Sequence, residues 1–208
     1  MMMRSRHFKV AGLLLFMLFL LAAAGSALLP GGVCPAGGAA VTAGGREFAR
    51  LKNRTEVPGA RDFDPNVSLE ALLRPGEDRG RWSERRAGRL EGYVVEVVRG
   101  GVEAANCYSV RERDVHIHVA PRPDAPRSEW VVVEVTPRAR WRAAAAGADW
   151  SAAALRERLT GRWCRFEGWL LFDREHADES EHTAPGARGD WRATAWELHP
   201  VTSIEPLR

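Results

Sequence analysis

The chain has 208 residues, 45% hydrophobic and 27% charged, with eight Trp, three Cys and a formal charge of +3. Three basic residues, Arg4, Arg6 and Lys9, precede an apolar N-terminal run, and without them 27 basic residues face 27 acidic ones. That balance argues against a strong, general phosphate-backbone binder, which usually carries a basic surplus, and the length leaves about 120 residues for one core after the N-terminal segments.

In chain order, the first segment reads as an address rather than as fold. Arg4, Arg6 and Lys9, an uncharged apolar run from Val10 to Leu21 and small residues from Ala22 to Ala27 form the pattern of an export signal, residues 1–27, cut after Ala27. The alternative is an uncleaved anchor, since apolar character continues to Leu29. Either way the folded part is expected outside the cytoplasm, periplasmic or extracellular. Residues 28–45 are Gly, Ala and Pro without periodicity, the composition of a flexible linker. Residues 46–88 carry isolated apolar anchors and the run SLEALL opened by Ser68, which predicts an extended arm with one short helix.

The barrel segment, 89–208, begins with RLEGYVVEVVR (89–99), a Val- and Tyr-rich strand with Gly92 inside it, where a glycine marks a bulge or tight bend. Gly100-Gly101 breaks it as a turn would. The second strand shows Val115, Ile117 and Val119 alternating with Asp114, His116 and His118, an apolar face and an ionisable one. WVVVEVTP (130–137) is the third and ends at Pro137, which cannot continue a ladder. AAALRERLTG closes on Gly161 and predicts a helix over 150–160. RWCRFEGWLLFD and WRATAWELHPV supply strands four and five. The loop at 173–190 is longer than most hairpin connections and is therefore a functional candidate. Three strands, a helix and two strands are the plan of a five-stranded OB-like Greek-key barrel. The barrel segment holds 17 Arg and 19 Asp plus Glu, net −2 with His neutral, which again speaks against strong non-specific nucleic-acid binding.

The cysteines leave pairing open. Cys164 shares strand parity with Phe166, Leu170 and Phe172 and should point inward; Cys107 is its one partner within the fold, and Cys34 is left over in the linker. Buried free thiols are expected in preference to a bridge.

The stretches LKNRT, GGVEAANC, RDVHIHV, VVVEVTPRARW, GWLLFDREH and WRATAWELHPVTSIE resemble a group of exported bacterial proteins with a small OB-like barrel. The resemblance implies fold and export; it supplies no reaction, and no catalytic residue is singled out.

Two constellations carry the functional expectation. Asp114, His116, His118, Glu134, Asp173, His176, Glu197 and His199 fall on strands or strand ends; carboxylates and imidazoles at alternate strand positions can bind a divalent metal, while a hydrogen-bonded polar cluster without cofactor is the favoured role. Trp163, Arg165, Trp169, Trp191, Arg192 and Trp196 form the second set, a stacking platform by which an OB barrel holds rings, though at least half of the Trp are expected in the core. The expected function is an exported binding module for an envelope ligand: glycan, peptide or short oligonucleotide. A structural or protein-interaction domain of the envelope is the alternative, and a metal-dependent hydrolase or nuclease ranks lower. Contact with a membrane is expected only through an uncleaved N-terminal segment.

Overall fold

The computed structural model describes residues 34–207; the expected export signal lies outside them. Among the described residues no helix is long and apolar enough to cross a membrane. Five strands, β1 (Ala87–Arg99), β2 (Val115–Ala120), β3 (Val131–Val135), β4 (Trp163–Phe172) and β5 (Trp196–Pro206), close a barrel in the order β1-β2-β3-β5-β4. All neighbours run antiparallel except β3 and β5, which are parallel and meet at Val133 and Leu198.

β1 makes this closure by serving two partners. Its first half pairs with β4, from Ala87 opposite Trp169 to Tyr93 opposite Trp163, and its second half with β2, from Tyr93 opposite Ala120 to Arg99 opposite Val115. The register with β2 slips between Val94 and Glu96. Gly92 stands just before the handover because nothing larger fits: a Cβ there would lie 2.4 Å from Val119 Cγ1 and 2.7 Å from Leu69 Cδ2. A close approach therefore accounts for Gly92, and the bulge expected at this glycine lies beyond it, between Val94 and Glu96.

Period-two alternation then sorts the strand residues. Val115, Ile117 and Val119, Val131, Val133 and Val135, and Trp196 and Leu198 point into one core with Leu90, Val94, Phe166 and Leu170. Two helices add leucines to this core. α2 (Leu69–Leu73) contributes Leu69 and Leu72; α4 (Ala152–Leu159) contributes Leu155 and Leu159. Ser68, the expected cap of the first, accepts from Ala71 N at 3.1 Å, and Ser151 caps the second, accepting from Ala154 N at 3.3 Å. At roughly 1.5–3 kcal/mol for each fully buried aliphatic side chain, this core carries most of the stability.

Three features were not expected. α1 (Ala43–Lys52) starts inside the segment read as a flexible linker, capped by Thr42, whose side chain accepts from Gly45 N at 3.0 Å. α3 (Pro137–Ala145) follows β3 directly: Pro137 ends the strand and also occupies the first helical turn, with Thr136 as cap. Two helices, not one, therefore separate β3 from β4. The cysteine expectation is corrected as well, since Cys34 and Cys107 form a disulfide and Cys164 is the buried free thiol.

Candidate functional site

The faces of β2, β3 and β5 that point away from the core carry the ionisable residues: His116 and His118, Glu134, and Glu197 and His199. An outward face normally meets water, yet Glu134 is 5% exposed, Glu197 1% and His199 0%. The cover comes from Lys52 at the end of α1, from the turn holding Glu103 and Asn106, and from the connection between β4 and β5, which returns Asp173, His176 and Arg192 over the strands. A second, polar layer is therefore sealed on the outside of a conventional barrel.

Within it, His199 sits at the centre. Its Nδ1 hydrogen-bonds Glu197 Oε1 at 3.1 Å and lies 3.2 Å from Glu134 Oε2. Its Nε2 faces Asp114 Oδ2 across 3.8 Å, beyond hydrogen-bond reach, and neither atom has a hydrogen-bond partner. Asp114 Oδ1 accepts from Asn106 Nδ2 at 3.0 Å. His116 Nε2 lies 3.2 Å from Glu134 Oε1 without hydrogen-bond geometry. Arg192 spans the far side, donating to Asp173 Oδ2 at 3.0 Å and to Glu197 Oε2 at 3.3 Å, while Asp173 Oδ2 also meets His176 Nδ1 at 2.9 Å. Lys52 donates to Glu103.

Burial dominates the electrostatics. It pushes Asp114 up to about 7, with the nearby Glu103 carboxylate adding to the effect. Glu197 rises to about 8 through burial and then the charge of Asp173, and Glu134 is raised well above the carboxylate range by burial and Glu197. The same desolvation pushes His116 down to about 3, helped by the other cations, and holds His199 well below its ordinary value. Asp173 behaves oppositely: burial would raise it, but the hydrogen bond from His176 and the charge of Arg192 prevail and hold it below the usual range. His176, drawn by that hydrogen bond, rises to about 9. The result is a set of charged groups, Lys52, Glu103, Asp173, His176 and Arg192, beside a centre where burial favours neutral imidazoles at His116 and His199 and shifts the carboxyls of Asp114, Glu134 and Glu197 toward their protonated forms.

A cavity of about 120 Å³ opens onto this layer, lined among others by Lys52, Glu103, His116, Glu134, Trp191 and Arg192. It cannot enclose a sugar ring or a peptide, which need pockets of about 300 Å³ or more.

Seven of the eight expected polar residues are brought together: Asp114, His116, Glu134, Asp173, His176, Glu197 and His199. His118 is turned aside, bonded through Nδ1 to Glu96 at 2.9 Å and packed on Trp130 and Trp191 at 5.5 and 5.0 Å. The aromatic set is divided. Trp191 and Arg192 join the polar layer. Trp196 is core. Trp163, 44% exposed, and Trp169 lie on the outer face of β4 with Arg165 between them. Arg165 is taken up by Glu91 and Glu205, and Trp169 donates to Glu56 O at 2.7 Å beneath Arg54. The six residues thus form no single platform. Lys52, Glu103 and Asn106 are the site residues that strand parity could not reveal, since they come from a helix and a turn with no periodic relation to the strands.

No family model, no curated protein and no solved structure matches the chain.

Proposed function

We propose that the chain is an exported binding module built on an OB-like Greek-key barrel, with a glycan of the cell envelope bound across the mouth of the polar cavity. The OB-like reading is supported by the strand order β1-β2-β3-β5-β4, the parallel closure of β3 on β5 and the helical connection between β3 and β4. Export is supported by the order of charged, apolar and small residues over 1–27 and by the Cys34–Cys107 disulfide.

The observation that carries the binding reading is the buried ionisable layer itself. Sealing charged and polar groups under a helix and a loop costs stability that apolar residues would not cost, and such arrangements concentrate where a protein binds or reacts. At the mouth, half-buried Trp191 lines the opening, its Nε1 held by Glu179 at 2.9 Å, beside the half-exposed imidazole of His176. Rings with hydroxyls suit that combination. An oligonucleotide suits it less, given the net negative barrel.

Titrating the full chain with soluble envelope glycan fragments, short peptides and short oligonucleotides, read by Trp fluorescence, tests the proposal. A saturable change with glycan that Trp191→Ala abolishes is expected. Silence toward glycan, or a response that survives Trp191→Ala, contradicts it. The interaction-domain alternative draws support from a different place, the connection between β1 and β2, where Val102, Tyr108 and Val110 are 46%, 60% and 70% exposed.

A further inference from the structure

We infer that the polar layer is a divalent transition-metal site in which Asp114, Glu134 and His199 hold one ion of the Zn²⁺ or Mn²⁺ class, with access through the cavity beside His116. The inference deepens the reading of the cavity as the functional site and adds the ion that organises it.

The geometry is that of a site wanting a cation. One ligand atom from each of Asp114, Glu134 and His199 lies within 4.8 Å of the other two. His199, 0% exposed, and Asp114, 1% exposed, aim unpartnered atoms, Nε2 and Oδ2, at the same gap. A buried lone pair with no donor is costly; two facing each other are what a shared ion would satisfy. Zn–N and Zn–O bonds of about 2.1 Å let one ion bridge atoms up to about 4.2 Å apart, and this gap is 3.8 Å. Glu134 completes the triad with an oxygen within 4.8 Å of a ligand atom of each of the other two.

The second shell is also in place. His199 Nδ1 is bonded to Glu197 Oε1 at 3.1 Å, the carboxylate–imidazole arrangement that fixes a metal-bound histidine with Nε2 toward the ion. Two carboxylates with an imidazole favour Zn²⁺ or Mn²⁺. Ca²⁺, which takes six to eight oxygens, is poorly served. A second triad, Glu103, His116 and Glu134, shares Glu134 and lies toward the mouth, so an entering ion meets ligands along its path.

The test uses the full chain, stripped with chelator and titrated calorimetrically with Zn²⁺ or Mn²⁺ alone, with Mg²⁺ as control and Co²⁺ absorption reporting the ligand set. One equivalent should bind, with a nitrogen- and oxygen-type Co²⁺ spectrum. Asp114→Asn and His199→Gln should each weaken binding roughly 100-fold or more, with near-UV circular dichroism of the Trp residues confirming the fold. Failure of the unaltered protein to take up stoichiometric metal overturns the inference without recourse to any variant. So does uptake that neither substitution weakens. Glycan-dependent fluorescence in protein that takes up no metal would remove the ion and leave the glycan reading. Metal uptake without any glycan response would support the ion and remove the glycan.

Discussion

Asp78 offers the sharpest check on how the cover is held over the strands. It lies in the arm, is 0% exposed, and its Oδ2 accepts from Thr194 Oγ1 at 2.7 Å, Ala195 N at 3.0 Å and Thr183 Oγ1 at 3.4 Å. Its backbone oxygen accepts from Trp196 Nε1 at 2.8 Å. Burial alone would raise its carboxyl, but the His182 imidazole 3.4 Å away and the hydrogen bonds from Thr194 and Ala195 outweigh burial and hold it below the ordinary value. One carboxylate therefore pins the segment that carries Arg192 into the site. Hydrogen bonds to a charged group contribute about 1.5–3 kcal/mol each. The two short ones together, with buried donors left unsatisfied on truncation, place the cost of Asp78→Ala at about 4 kcal/mol. Asp78→Asn keeps one acceptor oxygen and should cost about half as much. Urea unfolding followed by Trp fluorescence measures both, with the slope unchanged if the loss is local. A cost below about 1.5 kcal/mol for Asp78→Ala, or an Asn variant no milder than the Ala one, would show that the arm is not anchored through this carboxylate.

Gly92→Ala should destabilise by about 1–3 kcal/mol, because the added Cβ meets Val119 and Leu69 in a packed core; a neutral result in the same assay would mean that β1 and α2 yield freely. The His176–Asp173 pair should be visible in pH dependence. The folded value of His176 is raised to about 9 from about 6.5 in the unfolded chain, so its contribution is complete below pH ~6.5 and lost as pH rises through 9. Because the side chain is half exposed, screening limits this to about 1 kcal/mol. Comparing unfolding at pH 6 and pH 10 with His176→Gln should show the unaltered protein losing that margin relative to the variant; parallel curves would contradict the pairing.

Much of the site was legible because strands have period two. Asp114 and His116, Glu134, and Glu197 and His199 each stand one residue away from core-facing Val115, Val133 and Leu198, so their common face follows from alternation. Its burial does not. An outer face of a small barrel should be wet, and part of what dries this one is α1, whose first turn holds Gly44 and Gly45, residues of poor helix propensity. Local composition there favours a flexible chain, and packing of Phe48, Ala49 and Lys52 overrides it. α3 was hidden for another reason: Pro137 stops a strand and starts a helix equally well, and only the Ala- and Arg-rich run after it distinguishes the two. The aromatic platform failed on side-chain partners that sequence does not show, Arg165 with Glu91 and Glu205, and Trp169 with Glu56.

The account rests on the polar layer being kept for an occupant rather than for stability, and Glu134→Gln tests that most directly. Glutamine has the shape of the protonated carboxyl that burial favours at this position, so unfolding of the metal-free variant should stay within about 1 kcal/mol of the unaltered protein. Added Zn²⁺ at 100 times its dissociation constant should stabilise the unaltered chain by about 2.7 kcal/mol and leave the variant unmoved. A Glu134→Gln loss of about 3 kcal/mol or more without metal, together with no metal-induced shift in the unaltered protein, would contradict the account and make the layer a structural keystone.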